Sequence, residues 1–172
     1  VARHAAHCIL LNGRPVTFVA GLAVDARLNI PQSGAFDIVA ATTLTAVGVT
    51  IVFTFDTATN VFTSLVRVAS ALGDFGAVDL HDANAIVLDG SAATDVASLD
   101  VDAGGNITQS GALDIVGATT LTAVGGTIAV TLDTATNDFN SVVLVDGAGG
   151  DFGAVDLHDA NAIVLDGSAA PE

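Results

Sequence analysis

The chain has 172 residues, of which 51% are hydrophobic, and its mean hydropathy of +0.67 excludes a solvated disordered coil. Its net charge of −15, from 19 acidic residues against four arginines, excludes a non-specific nucleic-acid binder, which needs a basic face. With no Trp, Tyr or Met, the core must be built mainly from Val, Ile, Leu, Ala and Thr, which suit strands better than helices.

The first stretch of the chain is a diverged form of a segment that recurs later. Residues 1–20 match residues 78–97 at nine of twenty positions, so VARHAAHCILLNG is a variant of VDLHDANAIVLDG. The single cysteine, Cys8, gives no disulfide framework. We expect it to be a small buried residue, with an intermolecular disulfide as the alternative. Because the chain starts within the pattern, without an initiator Met or a signal peptide, we expect a processed product or part of a larger protein.

The stretch from Ala35 to Phe55 is almost wholly apolar and long enough to span a bilayer. However, Asp37 interrupts it, Thr and Gly are scattered through it, and the matching residues 112–132 alternate apolar and polar side chains. We therefore predict strands here and no insertion into a membrane.

A unit of 77 residues accounts for the whole chain. Residues 74–93 and 151–170 are identical at all twenty positions, and residues 34–47 recur at 111–124 with two differences. We therefore divide one continuous domain, residues 1–172, into three parts. These are a first repeat (1–77), a second repeat (78–154) and a partial third repeat (155–172).

Within the repeats, short segments alternate apolar and polar residues with the period of a strand. Clusters of Gly, Asn and Asp separate them and tolerate the backbone angles of tight turns. No stretch shows helical periodicity. The clearest alternation is found at 99–102, 113–115, 128–132, 155–158 and 163–166.

Two all-β folds could use this pattern, a parallel β-helix (β-solenoid) of stacked coils or tandem β-sandwich domains. The strands are short, no linker separates the repeats, and the inward residues are small aliphatics that can stack in register. Sandwiches usually carry a large aromatic anchor, and no Trp or Tyr is present. We predict the β-solenoid, with three or four coils per repeat, and keep the tandem sandwich as the alternative.

Residues 106–139 (NITQSGALDIVGATTLTAVGGTIAVTLDTATNDF) resemble the β-strand repeats of filamentous-haemagglutinin-type bacterial surface proteins. The matching residues are 107–113, 119–123, 137–139 and 159–165. This resemblance implies a right-handed parallel β-helix in a large secreted adhesin or surface fibre. The chain is much smaller than those proteins and lacks their N-terminal secretion region, so recognition of a secretion partner is not implied.

Two His-Asp pairs, His81-Asp82 and His158-Asp159, invite comparison with catalytic dyads. Neighbouring residues on a strand point to opposite faces, so neither pair is expected to form a dyad. A β-helix enzyme that cleaves acidic polysaccharides needs cationic groups, but the chain has no Lys and all four Arg lie in the first repeat. We therefore predict no catalytic residue and no enzymatic activity.

The glycine-rich turn from Asp146 to Asp151 (DGAGGD) resembles a single calcium-binding turn. Calcium β-rolls stack such a motif in series, whereas it occurs once here and the first repeat has lost the first Asp. A flexible glycine turn is the favoured interpretation. Asp146 and Asp151 are candidates only for adventitious calcium, and no other cofactor is expected.

Both ends of the chain carry ordinary repeat sequence without a polar cap, and an uncapped solenoid exposes strand edges that can pair with another chain. The first repeat is neutral, with four Arg and four Asp, whereas the second has eleven Asp and no base. We therefore predict an extracellular or cell-surface structural protein that polymerises head to tail. A stalk fragment of a large adhesin is the second interpretation, and a polysaccharide-active β-helix enzyme is a distant third.

Overall fold

The computed structural model describes residues 5–6, 20–48, 50–70, 75–92 and 95–167. Every regular element in these ranges is a β-strand, which confirms the prediction of an all-β protein. No helix in these ranges is long and apolar enough to cross a membrane. The predicted environment of Cys8 lies outside the described residues.

The strands are short and follow one another closely along the described chain. In order they are β1 (Ala5–Ala6), β2 (Leu22–Ala26), β3 (Ile30–Pro31), β4 (Asp37–Ile38), β5 (Thr42–Ala46), β6 (Ile51–Phe55), β7 (Val61–Phe62), β8 (Leu65–Ser70), β9 (Phe75–Asp82), β10 (Ile86–Ala92), β11 (Ser98–Ala103), β12 (Ile107–Gly111), β13 (Asp114–Ile115), β14 (Thr119–Ala123), β15 (Gly126–Leu132), β16 (Asp138–Phe139), β17 (Val142–Asp146), β18 (Gly150–Leu157) and β19 (Val164–Asp166).

Two parallel sheets run along the molecule. One has eight strands in the order β1-β2-β5-β8-β10-β12-β15-β18, and the other has seven in the order β19-β17-β14-β11-β9-β6-β3. The chain passes from one sheet to the other and back, and register partners in neighbouring strands are 20 to 25 residues apart, as in the pairs Leu22–Thr42 and Phe53–Val78. Two-residue strands form small extra ladders, β4 with β7 and β13 with β16. This is the predicted stack of coils in a parallel β-solenoid, and it excludes the tandem sandwich.

The 77-residue repeat corresponds to three and a half coils. Leu22 lies three coils before Leu88 in the eight-stranded sheet. Leu99, the counterpart of Leu22 in the second repeat, lies half a coil beyond Leu88, in the seven-stranded sheet. The identical segment TTLTA therefore forms β5 in one sheet and β14 in the other. The register is kept, because Leu22 pairs with Thr42 and Leu99 pairs with Thr119.

The interior holds larger side chains than the small aliphatics expected from the sequence. Several phenylalanines are fully buried, and ring centroids on adjacent coils lie 5.5 Å apart for Phe53 and Phe75. The ring centroids of Phe55 and Phe62, which lie in one coil, are 6.5 Å apart. The counterparts of Phe53 and Phe55 in the second repeat are Val130 and Leu132, so the aromatic stack is a feature of the first repeat. The largest fully buried side chains include Phe53, Phe55, Phe62, Phe75 and Phe139.

A buried asparagine fixes a corner of each repeat. The Nδ2 of Asn60 donates to the carbonyl oxygen of Phe55 at 2.9 Å, and its Oδ1 accepts from the backbone nitrogen of Phe36 at 2.9 Å. The side-chain amide of Gln32 binds the same Oδ1 and Nδ2 atoms. Asn137 makes the same set of contacts in the second repeat. Because every polar atom of this buried amide is satisfied, the corner has one favoured geometry.

Candidate functional site

A patch of ionisable side chains lies on the outer side of the seven-stranded sheet, where the second repeat begins. Asp79 on β9 is the register partner of Asp100 on β11, and His81 is the partner of Asp102. Partners in adjacent parallel strands stand about 4.8 Å apart with their side chains on one face. We call these four residues the junction patch, since it takes two successive coils to assemble it.

His81 is held by a residue of the next coil, not by its neighbour in sequence. It is 9% exposed, and its Nδ1 lies 3.2 Å from Oδ2 of Asp102. The adjacent Asp82 is fully buried and accepts hydrogen bonds from the backbone nitrogens of Phe62 at 3.3 Å and Asn84 at 3.0 Å. His81 and Asp82 therefore use opposite sides of the strand, as the alternation predicts, and they do not form a dyad.

The carboxylates of the junction patch disfavour one another's negative charge. Partial burial, together with the charges of Asp100, Asp56 and Asp102, raises the pKa of Asp79 to about 6, while His81 opposes the shift. Partial burial, followed by the charge of Asp102, also raises the pKa of Asp100. The patch therefore holds protons at pH values where an isolated Asp is ionised.

The pKa of the buried Asp82 is raised as well, but for a different reason. Burial raises its pKa to about 6, although the backbone hydrogen bonds from Asn84 and Phe62 pull in the opposite direction. This carboxyl group joins two coils at a corner, so its protonation state affects the fold itself.

The structure places the two calcium candidates in different sheets, Asp146 at the end of β17 and Asp151 in β18. The glycines between them have structural reasons, since Gly149 has a φ of 120° and a Cβ at Gly150 would lie 2.7 Å from the carbonyl oxygen of Gly126. Across the described ranges, no group of three or more His, Cys, Asp or Glu side chains is arranged to hold a metal ion.

The sequence that forms β9 and β10 recurs in β18 and β19, where Val155 and Leu165 are exposed while Leu157 and Ile163 are partly buried against the core. Four residues of this second occurrence correspond to inward-facing residues of β9 and β10, and we call these four the open face. Val155 is 41% exposed and Leu165 is 59% exposed, whereas their counterparts Val78 and Leu88 are each 1% exposed. The open face consists of Val155, Leu157, Ile163 and Leu165, the counterparts of Val78, Leu80, Ile86 and Leu88.

Because the two segments have the same sequence, the difference in their exposure comes from the coil that covers one of them and not the other. β11 pairs with β9, and β12 pairs with β10, so the first occurrence is covered by a further coil. β18 and β19 are the edge strands of their sheets among the described residues. The open face is thus a coil surface that has the sequence of an interior.

Sequence reasoning noticed His81 but missed the junction patch. The 77-residue repeat does not bring Asp79 near Asp100; the spacing that does so is the single-coil step of 21 residues, which also separates His81 from Asp102. A search for ionisable residues that recur at one coil length would have found both pairs.

A protein family described as repeats of unknown function (DUF5649) matches residues 75–146, from β9 to β17. This match agrees with the repeat-type β-strand architecture and assigns no activity. No curated protein matches the chain, and no solved structure matches it.

Proposed function

We propose that this chain is a structural β-solenoid protein of the cell surface or extracellular space, and that it assembles end to end into a filament or matrix. Its role is that of a scaffold, not a catalyst. The observation that carries this proposal is the open face, since a surface with the sequence of an interior is covered at β9 and β10 but has no further strand over it at β18 and β19 among the described residues.

A second copy of the chain is the occupant that the internal repeat favours. Within the chain, Val78 pairs with Leu99, and Ile86 pairs with Ile107. The counterparts of Leu99 and Ile107 in the first repeat are Leu22 in β2 and Ile30 in β3. A second subunit therefore carries, in its first coils, the same kind of surface that covers β9 and β10.

The distribution of charge supports head-to-tail contact. The first repeat has no net charge, whereas the second carries eleven Asp and no base. Contact between a neutral end and an acidic end brings together fewer like charges than contact between two acidic ends, so the polar arrangement is favoured. An asymmetric contact of this kind does not close and gives a filament.

The location at a cell surface is inferred from the resemblance of residues 106–139 to the repeats of filamentous-haemagglutinin-type surface proteins. A strongly acidic chain without lysine also suits an exposed protein, because uniform negative charge opposes non-specific aggregation.

The proposal is tested by comparing the association of the unmodified chain with that of Leu165→Asp. We expect the unmodified chain to form elongated oligomers whose mass, measured by light scattering, increases with protein concentration. Leu165→Asp places a charge in the open face and should keep the chain monomeric, since an unpaired charge is costly to bury.

Val116→Asp is the matched control, because Val116 is 48% exposed and lies between β13 and β14, away from the open face. It should associate like the unmodified chain. A stable monomer at high concentration, or equal loss of association in both variants, would contradict end-to-end assembly.

A further inference from the structure

The internal junction between β9 and β11 provides a template for the contact between subunits. This inference rests on the proposed end-to-end assembly and adds the register and a specific pair. We propose that His158 of one subunit binds Asp25 of the next, in the same way that His81 binds Asp102 within the chain. The eight-stranded sheets then continue from β18 to β2, and the seven-stranded sheets from β19 to β3.

The assignment follows from the residues that occupy equivalent positions. His158 is the counterpart of His81, and Asp25 is the counterpart of Asp102. In the chain, Nδ1 of His81 and Oδ2 of Asp102 lie 3.2 Å apart and His81 is 9% exposed. His158 is an exposed residue on the coil that bears the open face. The contact would bury this imidazole and give it a carboxylate partner.

The same alignment removes the unfavourable part of the junction patch. Asp79 faces Asp100 within the chain, but their counterparts at the subunit contact are Asp156 and Ala23. Arg27 stands where the second repeat has Gly104, at which a Cβ would lie 2.2 Å from the carbonyl oxygen of Ala83, so the backbone of this turn must shift at the subunit contact. The subunit contact keeps the His–Asp pair and loses a pair of like charges, which favours it electrostatically over its internal template.

Among the described residues, the acceptor strand β2 is paired with β1, through Ala5 with Asp25 and Ala6 with Ala26. Residues 1–13 are the diverged form of the sequence found at 155–167, but β1 pairs with β2 one residue out of the template register, since Ala5, the counterpart of Asp82, lies opposite Asp25 and not Ala26. β18 of a second subunit would displace β1 and pair with β2 in the register of the internal template. β3 is already an edge strand among the described residues.

The pair is tested by a double-mutant cycle on association, measured by analytical ultracentrifugation of the full chain. Asp25→Asn and His158→Gln should each weaken association about tenfold, and the double variant should be no weaker than either single variant, since partners in contact are not additive. Independent, multiplicative losses would overturn the pair while leaving end-to-end assembly intact. Absence of association in the unmodified chain would overturn both proposals.

The register is tested by disulfide trapping in a Cys8→Ser background. Asp25→Cys with His158→Cys should give a ladder of covalent multimers under mild oxidation, since partners in adjacent strands are within disulfide range. Asp25→Cys with Asp156→Cys, two residues out of register, should remain monomeric under reducing-agent-free electrophoresis. His81→Cys with Asp102→Cys should close within one chain and shows that the geometry is permissive. Equal multimer ladders from both intermolecular pairs would overturn the register.

Discussion

The pKa of a carboxyl group in this solenoid depends on the residues that the adjacent coil places beside it. Asp79 and Asp156 share the same local sequence, but Asp79 faces Asp100 whereas no described strand covers Asp156. The raised pKa of Asp79 therefore arises from stacking and not from its own strand. Asp82 shows the complementary case, in which burial at a corner raises the pKa of a carboxyl group despite two backbone donors.

We predict that the protein becomes more stable as the pH falls from 7 to about 4. Asp79 and Asp82 have pKa values of about 6 in the fold, against 3.8 for an unperturbed Asp side chain. Between these values the folded chain binds protons that the unfolded chain has released. Stability is therefore greatest below the unfolded pKa and declines as the pH rises through the folded one. Thermal unfolding across this range, at concentrations below the onset of association, measures the effect.

The Asp79→Asn variant distinguishes the effect of the junction patch on the pH dependence of stability from the effect of the other carboxyl groups. It should raise the unfolding temperature at pH 7 and reduce the pH dependence, because it removes a charge that the fold disfavours. Asp156→Asn changes the counterpart residue in β18 and should leave both quantities nearly unchanged. If the two variants had the same pH profile, stacking would not be the source of the shift.

At the scale of strands and coils, the unit of construction is half a coil. The register pairs of the first repeat recur in the second with the two sheets exchanged, as TTLTA shows in β5 and β14. This exchange is possible because each sheet requires the same alternation of inward and outward residues. Close approach between coils then decides where small residues are needed. Gly90 in β10 is one such position, since a Cβ there would lie 2.6 Å from the carbonyl oxygen of Ala112.

Gly90→Ala and Gly167→Ala form a matched test of coil packing, because both glycines lie in the sequence LDGSAA. A Cβ at Gly90 would also lie 3.0 Å from Leu113, whereas nothing lies within 4 Å of a Cβ at Gly167. Gly90→Ala should destabilise the chain by about 1–3 kcal/mol through overpacking, and Gly167→Ala by less than about 0.5 kcal/mol. Urea unfolding of the monomer gives both values. If the two variants lost the same free energy of unfolding, the coil next to Gly90 would have to accommodate the added methyl group without strain.

For the whole molecule, the half-coil unit would determine how subunits add in the proposed filament. Two repeats contain an even number of half coils, so a subunit that adds in register meets the same sheets it would meet within the chain. In the proposed contact, the open face of β18 and β19 would continue into β2 and β3 without exchange of the two sheets. A chain with a single 77-residue repeat would instead exchange the sheets at each contact.

The proposed filament should have a regular axial rise that follows from this count. Seven strands, from β2 to β18, lie in the eight-stranded sheet before the next subunit begins. At about 4.8 Å per strand, the rise per subunit is about 34 Å, and oriented fibres should give a strong meridional reflection near 4.8 Å. Helical reconstruction from electron micrographs measures the rise. A rise near half or twice this value would contradict the proposed register.

The sequence carried much of the fold because the solenoid is built from local repetition. The strand alternation at 99–102 and 128–132, the glycine-rich turns and the absence of linkers predicted stacked parallel coils, and the structure confirms them. The prediction of a small-aliphatic interior was wrong for the first repeat, since Phe53 and Phe55 face inward together with Phe75. Strand periodicity gives the direction of a side chain but not the width of the space that it fills.

What the sequence determined by itself was the repeat length, the strand type, the opposite orientation of His81 and Asp82, and the unequal charge of the two repeats. Each of these depends on neighbours along the chain. The tertiary structure decided that the repeat spans three and a half coils, that His81 meets Asp102, and that identical sequences are buried at Val78 and exposed at Val155. These depend on the length of a coil and on what lies above it, which are set by packing across coils and not by the order of residues within one.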